Sequence, residues 1–243
     1  MFRRSLFFIV ASLLVESFFS GGVQAQENQL SAQEKSDGWK VLFDGKTTQG
    51  WRSFGKTGFP EKGWLVKEGT LELEAGSKAG DIITEDSYSD FDLVWDWKIQ
   101  AGGNNGLKYF ILEERKEAVG HEYQMIDDVQ GRDYGPKHST ASFYDVLPPD
   151  PKKPLKAPGE WNRSRVLVQG SHVEHWLNGK KVLEYELGSP EVLAAVQQSK
   201  FKKVAGFGTK VKGHILLTYH NDPVSYRNIK IRDLSLAGTK KVR

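Results

Sequence analysis

The nine residues FDLVWDWKI, 91–99, decide the fold class. Phe91, Leu93, Trp95, Trp97 and Ile99 share one parity, and Asp92, Val94, Asp96 and Lys98 share the other. A strand sends successive side chains to opposite faces, so this period of two predicts a strand with one face in a core. The flanking sequence repeats the pattern in short runs. GWLVKEGTLELE (63–74) reads as two strands reversing at Glu68-Gly69, and WKVLF (39–43) as another strand. GLKYFIL (106–112) follows a Gly-Gly-Asn-Asn-Gly turn. RVLVQGSHVEHWLNGKKVLEYEL (165–187) holds two reversals, the second at Asn178-Gly179, a strong hairpin signal. HILLTYH (214–220) and YRNIKIRDLSL (226–236) close the series. One helix is expected, with Ser189 as cap, Pro190 at its first position and EVLAAVQQSKF after it. The Pro-rich LPPDPKKPLKAPGEW (147–161) reads as an extended loop. Many short strands with little helix predict an all-β, two-sheet antiparallel sandwich or barrel over one domain, residues 37–237.

Composition narrows the function. A 38% apolar and 27% charged chain can bury a core. Seven Trp, eight Tyr and thirteen Phe suit strands and also surfaces that stack on sugar rings. A formal charge of +3 with interspersed signs argues against nucleic acid as a partner. Residues 1–25 read as a signal peptide: Arg3 and Arg4 lead, SLFFIVASLLV is too short to span a membrane comfortably, and Val-Gln-Ala precedes Gln26. The expectation is a periplasmic or secreted protein with no membrane span after cleavage. Residues 26–36 read as a flexible linker and 238–243 as a basic tail. The chain has no Cys, which excludes disulfides and thiolate chemistry.

The motifs exclude more than they name. There is no HExxH, no phosphate loop opening a helix and no GxSxG elbow. No cofactor is expected, with a divalent metal left open. Carboxylates, imidazoles, lysines and arginines concentrate in four places. These are Lys108 after the glycine turn, GHEYQMIDD (120–128) with Glu122, Gln124 and Asp127, KHSTASFYDVLPP (137–149) with His138 and Tyr144, and LLTYHNDPVSYRNI (216–229) with His220, Asp222 and Arg227. In GHEYQMIDD, Tyr123 and Met125 can pack a core, so Glu122 and Gln124 must face the other way. In a two-sheet jelly roll that other way is an open sheet face, where they would line a groove.

Taken in order, these stretches resemble the 3-keto-disaccharide hydrolase family, a concanavalin A-like jelly roll. The resemblance runs from GWKVLFDGKTTQGW (38–51) through GGNNGLKYF, EYQMIDD and GEWNRSRVLVQG to GHILLTYHNDPVSYRNIKI (213–231). It departs where the family usually carries Asn-Ser-Gly at 104–106, and a Gly at Ala141 or Ser142. It implies an enzyme that acts on a carbohydrate already oxidised at C3, working with a separate sugar 3-dehydrogenase. A ketone at C3 acidifies the C2 hydrogen, so a base can open an elimination that water then completes as hydrolysis. The residues expected to serve are Glu122 and His220 as base and acid in either order, and Lys108 or Arg227 for the enediolate charge. Asn105, Gln124, Asp127 and Tyr144 would hold hydroxyls. Asp127 with Glu122 could also offer oxygen ligands to a metal. Two rivals follow from the residues. One is a carbohydrate-binding module on the same fold. The other is a two-carboxylate glycosidase using Asp92 and Asp96, which four strand residues hold about 13 Å apart, too far for that chemistry.

Overall fold

The structure, a computed structural model, describes residues 27–130 and 135–235. The expected signal peptide (1–25) and basic tail (238–243) lie outside the described residues. Helix α1 (Ala32–Ser36) leads into strands β1 (Trp39–Val41), β2 (Trp51–Ser53), β3 (Trp64–Lys67), β4 (Thr70–Leu73) and β5 (Ile82–Tyr88). Strands β6 (Phe91–Ile99), β7 (Asn104–Ile111) and β8 (His121–Ile126) precede the Pro-rich loop, and β9 (Asn162–Gln169), β10 (His172–Leu177) and β11 (Lys180–Glu186) follow it. Helix α2 (Pro190–Gln197), β12 (Gly213–Leu217) and β13 (Val224–Asp233) complete the chain. The strands form an eight-stranded sheet, β11-β10-β9-β6-β13-β4-β3 with β1 beside β13, and a five-stranded sheet, β2-β5-β12-β7-β8. All the pairs are antiparallel, and the two sheets stack as a jelly-roll sandwich.

The period-two reading of β6 holds. Phe91, Leu93, Trp95, Trp97 and Ile99 are all in the inter-sheet core. Asp92, Val94 and Asp96 of the opposite parity are buried as well, and Lys98 is half-buried. Asp92 takes Arg165 from β9 at 2.6 Å and Arg232 from β13 at 3.1 Å. Asp96 accepts from Asn228 at 2.7 Å and lies 3.6 Å from Arg227. Both carboxylates are neutralised on the outer face of the eight-stranded sheet, which removes the two-carboxylate rival. A buried polar network spans the core between the sheets. The Trp97 indole donates to Ser164, whose hydroxyl donates to Tyr123, and Tyr123 donates to the Trp176 carbonyl. Tyr109 meets both His175 (3.0 Å) and Tyr185 (2.5 Å). The Trp97–Ser164 bond lies within the eight-stranded sheet, and each of the others ties a strand of one sheet to the other and fixes how the sheets sit.

Residues 27–36 are not a flexible linker. Ser31 and Glu34 form a capping box for α1, a signal present in SAQE (31–34). Asn28 and Asn228 exchange hydrogen bonds of 2.6 and 2.8 Å, and Lys230 pairs with Glu34 at 2.9 Å. The segment is strapped onto β13, and the fold has a second short helix beside the expected one.

Candidate active site

The site is built on the outer face of the five-stranded sheet. In β8, Tyr123 and Met125 enter the core, so Glu122 and Gln124 point outward as the alternation requires. The register sets Lys108 of β7 opposite Glu122, and Gly106 opposite Gln124. The other edge of β8 is not free. Tyr144 N–H donates to the Glu122 carbonyl and Gln124 N–H to the Ser142 carbonyl, so residues 141–144 run alongside as a further extended segment. Lys108, Glu122 and Tyr144 therefore stand in one row across three chain segments.

Glu122 is 8% exposed, and its carboxylate lies over Gly106. A Cβ at position 106 would come 2.1 Å from Oε1, so the missing side chain is the space the carboxylate occupies. The Lys108 ammonium is 4.0 Å from Glu122 and donates to the Ala118 carbonyl at 3.1 Å. Burial pushes the Glu122 carboxyl above its ordinary value, while Lys108, then Lys200 and His220, pull it part of the way back and Asp81 opposes them. A buried carboxylate with a raised pKa is a stronger base when ionised than an exposed one, and a cation stands beside it.

Lys200 was not foreseen. It follows α2 in a turn pinned by Phe201, which stacks on Phe207 at 4.2 Å. Its ammonium rests over the Tyr144 ring, 4.3 Å from the centroid, and its backbone N–H donates to Asp145. The second Asp145 oxygen meets His138 at 3.0 Å, and the His138 ring packs on the edge of Tyr144 at 4.9 Å. Partial burial lowers the Lys200 pKa, with Glu122 and Asp145 opposing that shift. No sequence signal tied Lys200 to a strand 78 residues earlier, because only the docking of α2 brings them together.

The other expected residues divide. Gln124 is in place, its amide donating to Asn104 at 3.2 Å. Tyr144 is in place beside Lys200. His220 is exposed on the rim, near enough to Glu122 to act on its charge. Asn105 does not line the groove: it stands opposite Met125, fully buried, with its carbonyl accepting from Tyr226, Thr218 and Gly106 N–H. The expectation was one residue out of register, and Asn104 is the one that faces Gln124. Asp127 lies past the end of β8, its carboxylate taken by the N–H groups of Gly102, Val129 and Gln130. It is a loop clasp, not a partner of Glu122 in a metal site. Arg227 is in the wrong sheet for the groove. It lies on the outer face of the eight-stranded sheet, 4.1 Å above the Trp161 ring and paired with Glu27 and Asp96.

Among the described residues the group of three with metal-ligand atoms in reach of one another is His172, Glu174 and Glu184, on the outer strands β10 and β11. Lys181 already pairs with both of those carboxylates.

Known proteins are similar to this chain over most of its length. Residues 38–232 match the family described as the 3-keto-alpha-glucoside-1,2-lyase-like domain. A 3-keto-disaccharide hydrolase of Bacteroides thetaiotaomicron is 31% identical, over 86% of this chain and 83% of its own. The chain belongs to the 3-keto-disaccharide hydrolase family. A crystal structure of a glycosyl hydrolase candidate from Parabacteroides distasonis is 33% identical with a TM-score of 0.78, covering 86% of this chain and all of the other. A second from the same organism, at 27% identity, has a TM-score of 0.65 over 81% and 99% of the two chains. Membership of this family makes the protein a carbohydrate-active hydrolase. Of Ala141 and Ser142, Ala141 is the residue with a left-handed φ of 70°. Its carbonyl accepts from His175 Nδ1 at 3.0 Å, which holds a conformation that an alanine resists.

Proposed function

We propose that the protein hydrolyses the glycosidic bond of 3-keto-glycosides, with Glu122 taking the C2 proton. The observation that carries this reading is the Glu122 carboxylate: buried, raised in pKa, seated over Gly106 and 4.0 Å from Lys108. An ordinary glycosidase needs a second carboxylate across the bond. A substrate with a C3 ketone needs one base and a cation where negative charge develops on O3. Glu122 and Lys108 supply that pair, and Gln124 and Tyr144 flank it as partners for hydroxyls. The C–H electrons move into C2=C3 and the charge settles on O3 beside Lys108. Collapse of the enediolate expels the C1 substituent and leaves a C1=C2 double bond, to which water adds. His220, exposed and acting on the Glu122 charge, serves the solvent side of the substrate in this reading.

The ketone must come from elsewhere, so an oxidoreductase that converts a sugar C3 hydroxyl to a ketone supplies this substrate. The N-terminal segment supports export to the periplasm or beyond, and protein recovered from the native envelope should begin near Gln26; a retained Met1 overturns export. The decisive assay compares a 3-keto-glucoside with its unoxidised parent. Turnover of the keto-glycoside alone is expected. Equal turnover of both overturns the elimination route, and binding without turnover of either makes the protein a carbohydrate-binding module.

A further inference from the structure

We propose that Lys200 is the acid that protonates the departing glycosidic oxygen, so that Glu122 works between two cations with different tasks. This rests on the reading of Glu122 as the C2 base. In the row Lys108, Glu122, Tyr144, one ammonium stands on the β7 side of the carboxylate and the other lies on the Tyr144 ring on the opposite side. Two strand spacings separate the ends of that row, about 9.6 Å. In the substrate C2 is likewise flanked, by C3 with its ketone oxygen and by C1 with its leaving group. With C2–H over Glu122, O3 falls to one cation and the glycosidic oxygen to the other.

The two lysines differ in a way that assigns the ends. Lys108 is held by the Ala118 carbonyl and stands beside the carboxylate, a fixed positive charge for an oxyanion. Lys200 has its ammonium on an aromatic face, and its tendency to keep its proton depends on Glu122 and Asp145. When Glu122 accepts the C2 proton it loses its negative charge, and one of the two anions holding the proton on Lys200 disappears. The acid becomes stronger at the step that needs it. The balance closes: the O3 electrons re-form the ketone, the C2=C3 pair becomes C1=C2, and the C1–O pair leaves on oxygen. That oxygen takes the Lys200 proton. In the return step the Lys200 amine takes a proton from water, hydroxide adds to C1, and protonated Glu122 gives its proton to C2.

The test compares 3-keto-glucosides carrying 4-nitrophenoxide, which leaves without help, and methoxide, which does not. Lys200→Met should lower kcat about 10²–10³-fold on the methyl glucoside and less than about tenfold on the nitrophenyl glucoside. In deuterated water the variant should still exchange the C2 hydrogen of the methyl substrate, because the base step is intact. Lys200→Arg keeps the charge over Tyr144 but cannot give up a proton, so it should behave like the Met variant. Equal losses on both substrates, loss of C2 exchange, or rescue by Arg each overturn Lys200 as the acid. Wild-type protein inert toward both keto-glucosides overturns the functional reading and this inference with it.

Discussion

Glu122 is the residue at which function and stability oppose one another. Its carboxyl is buried and its pKa raised in the folded protein. A group raised in this way stabilises the fold in its protonated form, below the unfolded pKa, and that contribution is lost as pH rises through the folded pKa. The ionised side chain is therefore a cost to the fold. Glu122→Gln keeps the shape and removes the charge. It is expected to leave the Tm at pH 7 equal or higher, while kcat on a 3-keto-glucoside falls about 10²–10⁴-fold. A fall in Tm with unchanged kcat would make Glu122 structural. Wild-type kcat/KM should drop as pH is lowered through a value above that of an ordinary glutamate, since the base must be ionised to act. Asn105 teaches the reverse lesson at this scale. It carries the right chemistry on the wrong parity, and its buried carbonyl accepts three hydrogen bonds within the protein.

At the scale of elements the turns and edges place the site. The β10–β11 hairpin turns through Asn178 and Gly179 with φ of 47° and 85°, and Leu177 pairs with Lys180 across a two-residue loop. Both positions are left-handed, as a type I′ turn requires. Nothing stands within 4 Å of a Cβ built at Gly179, so a substitution there is opposed by backbone strain and not by a clash. Gly179→Val should destabilise the protein by more than about 1 kcal/mol in denaturant melts, with Gly179→Asn milder. Equal stability of all three would mean the turn relaxes freely. The segment 141–144 is the second such element. It pairs with the edge of β8 and, at Phe143, with Leu147, and no alternation announces it. His175 of β10 holds it from below, and Tyr144 reaches the groove on account of that pairing.

For the molecule as a whole, the core carries titratable groups that the groove chemistry does not use. Burial holds His121 down to about 3 and His175 down to about 4. Both are neutral in the fold: His121 accepts from Gly208 N–H, and His175 bridges the Ala141 carbonyl and the Tyr109 hydroxyl. A histidine with a depressed folded pKa contributes stability above its unfolded pKa, near 6.5, that is lost as pH falls toward the folded value. The Tm should decline between pH 6.5 and about 4.5, before most carboxylates protonate. His121→Gln keeps an acceptor without an ionisable ring, and its Tm should fall less steeply over that window. An unchanged slope would place the acid sensitivity elsewhere.

Alternation was enough for the sequence to set the strands, the outward direction of Glu122 and Gln124, and the Asn-Gly hairpin. These follow from local geometry, since a strand has two faces and a turn has few backbone solutions. Family motifs were legible for the same reason, as short runs in fixed order. The sequence could not say which outward face carries the groove. Arg227 and Lys108 read alike as cations on strands, and only the pairing of β13 with β6 and of β7 with β8 put one on each sheet. It could not bring Lys200 to Glu122 either. That meeting depends on the turn after α2 docking through Phe207 against His121 and Phe143, a packing of rings that lie far from it in sequence. Tertiary structure decides such contacts because burial of surface is indifferent to chain order, whereas alternation is written one residue at a time.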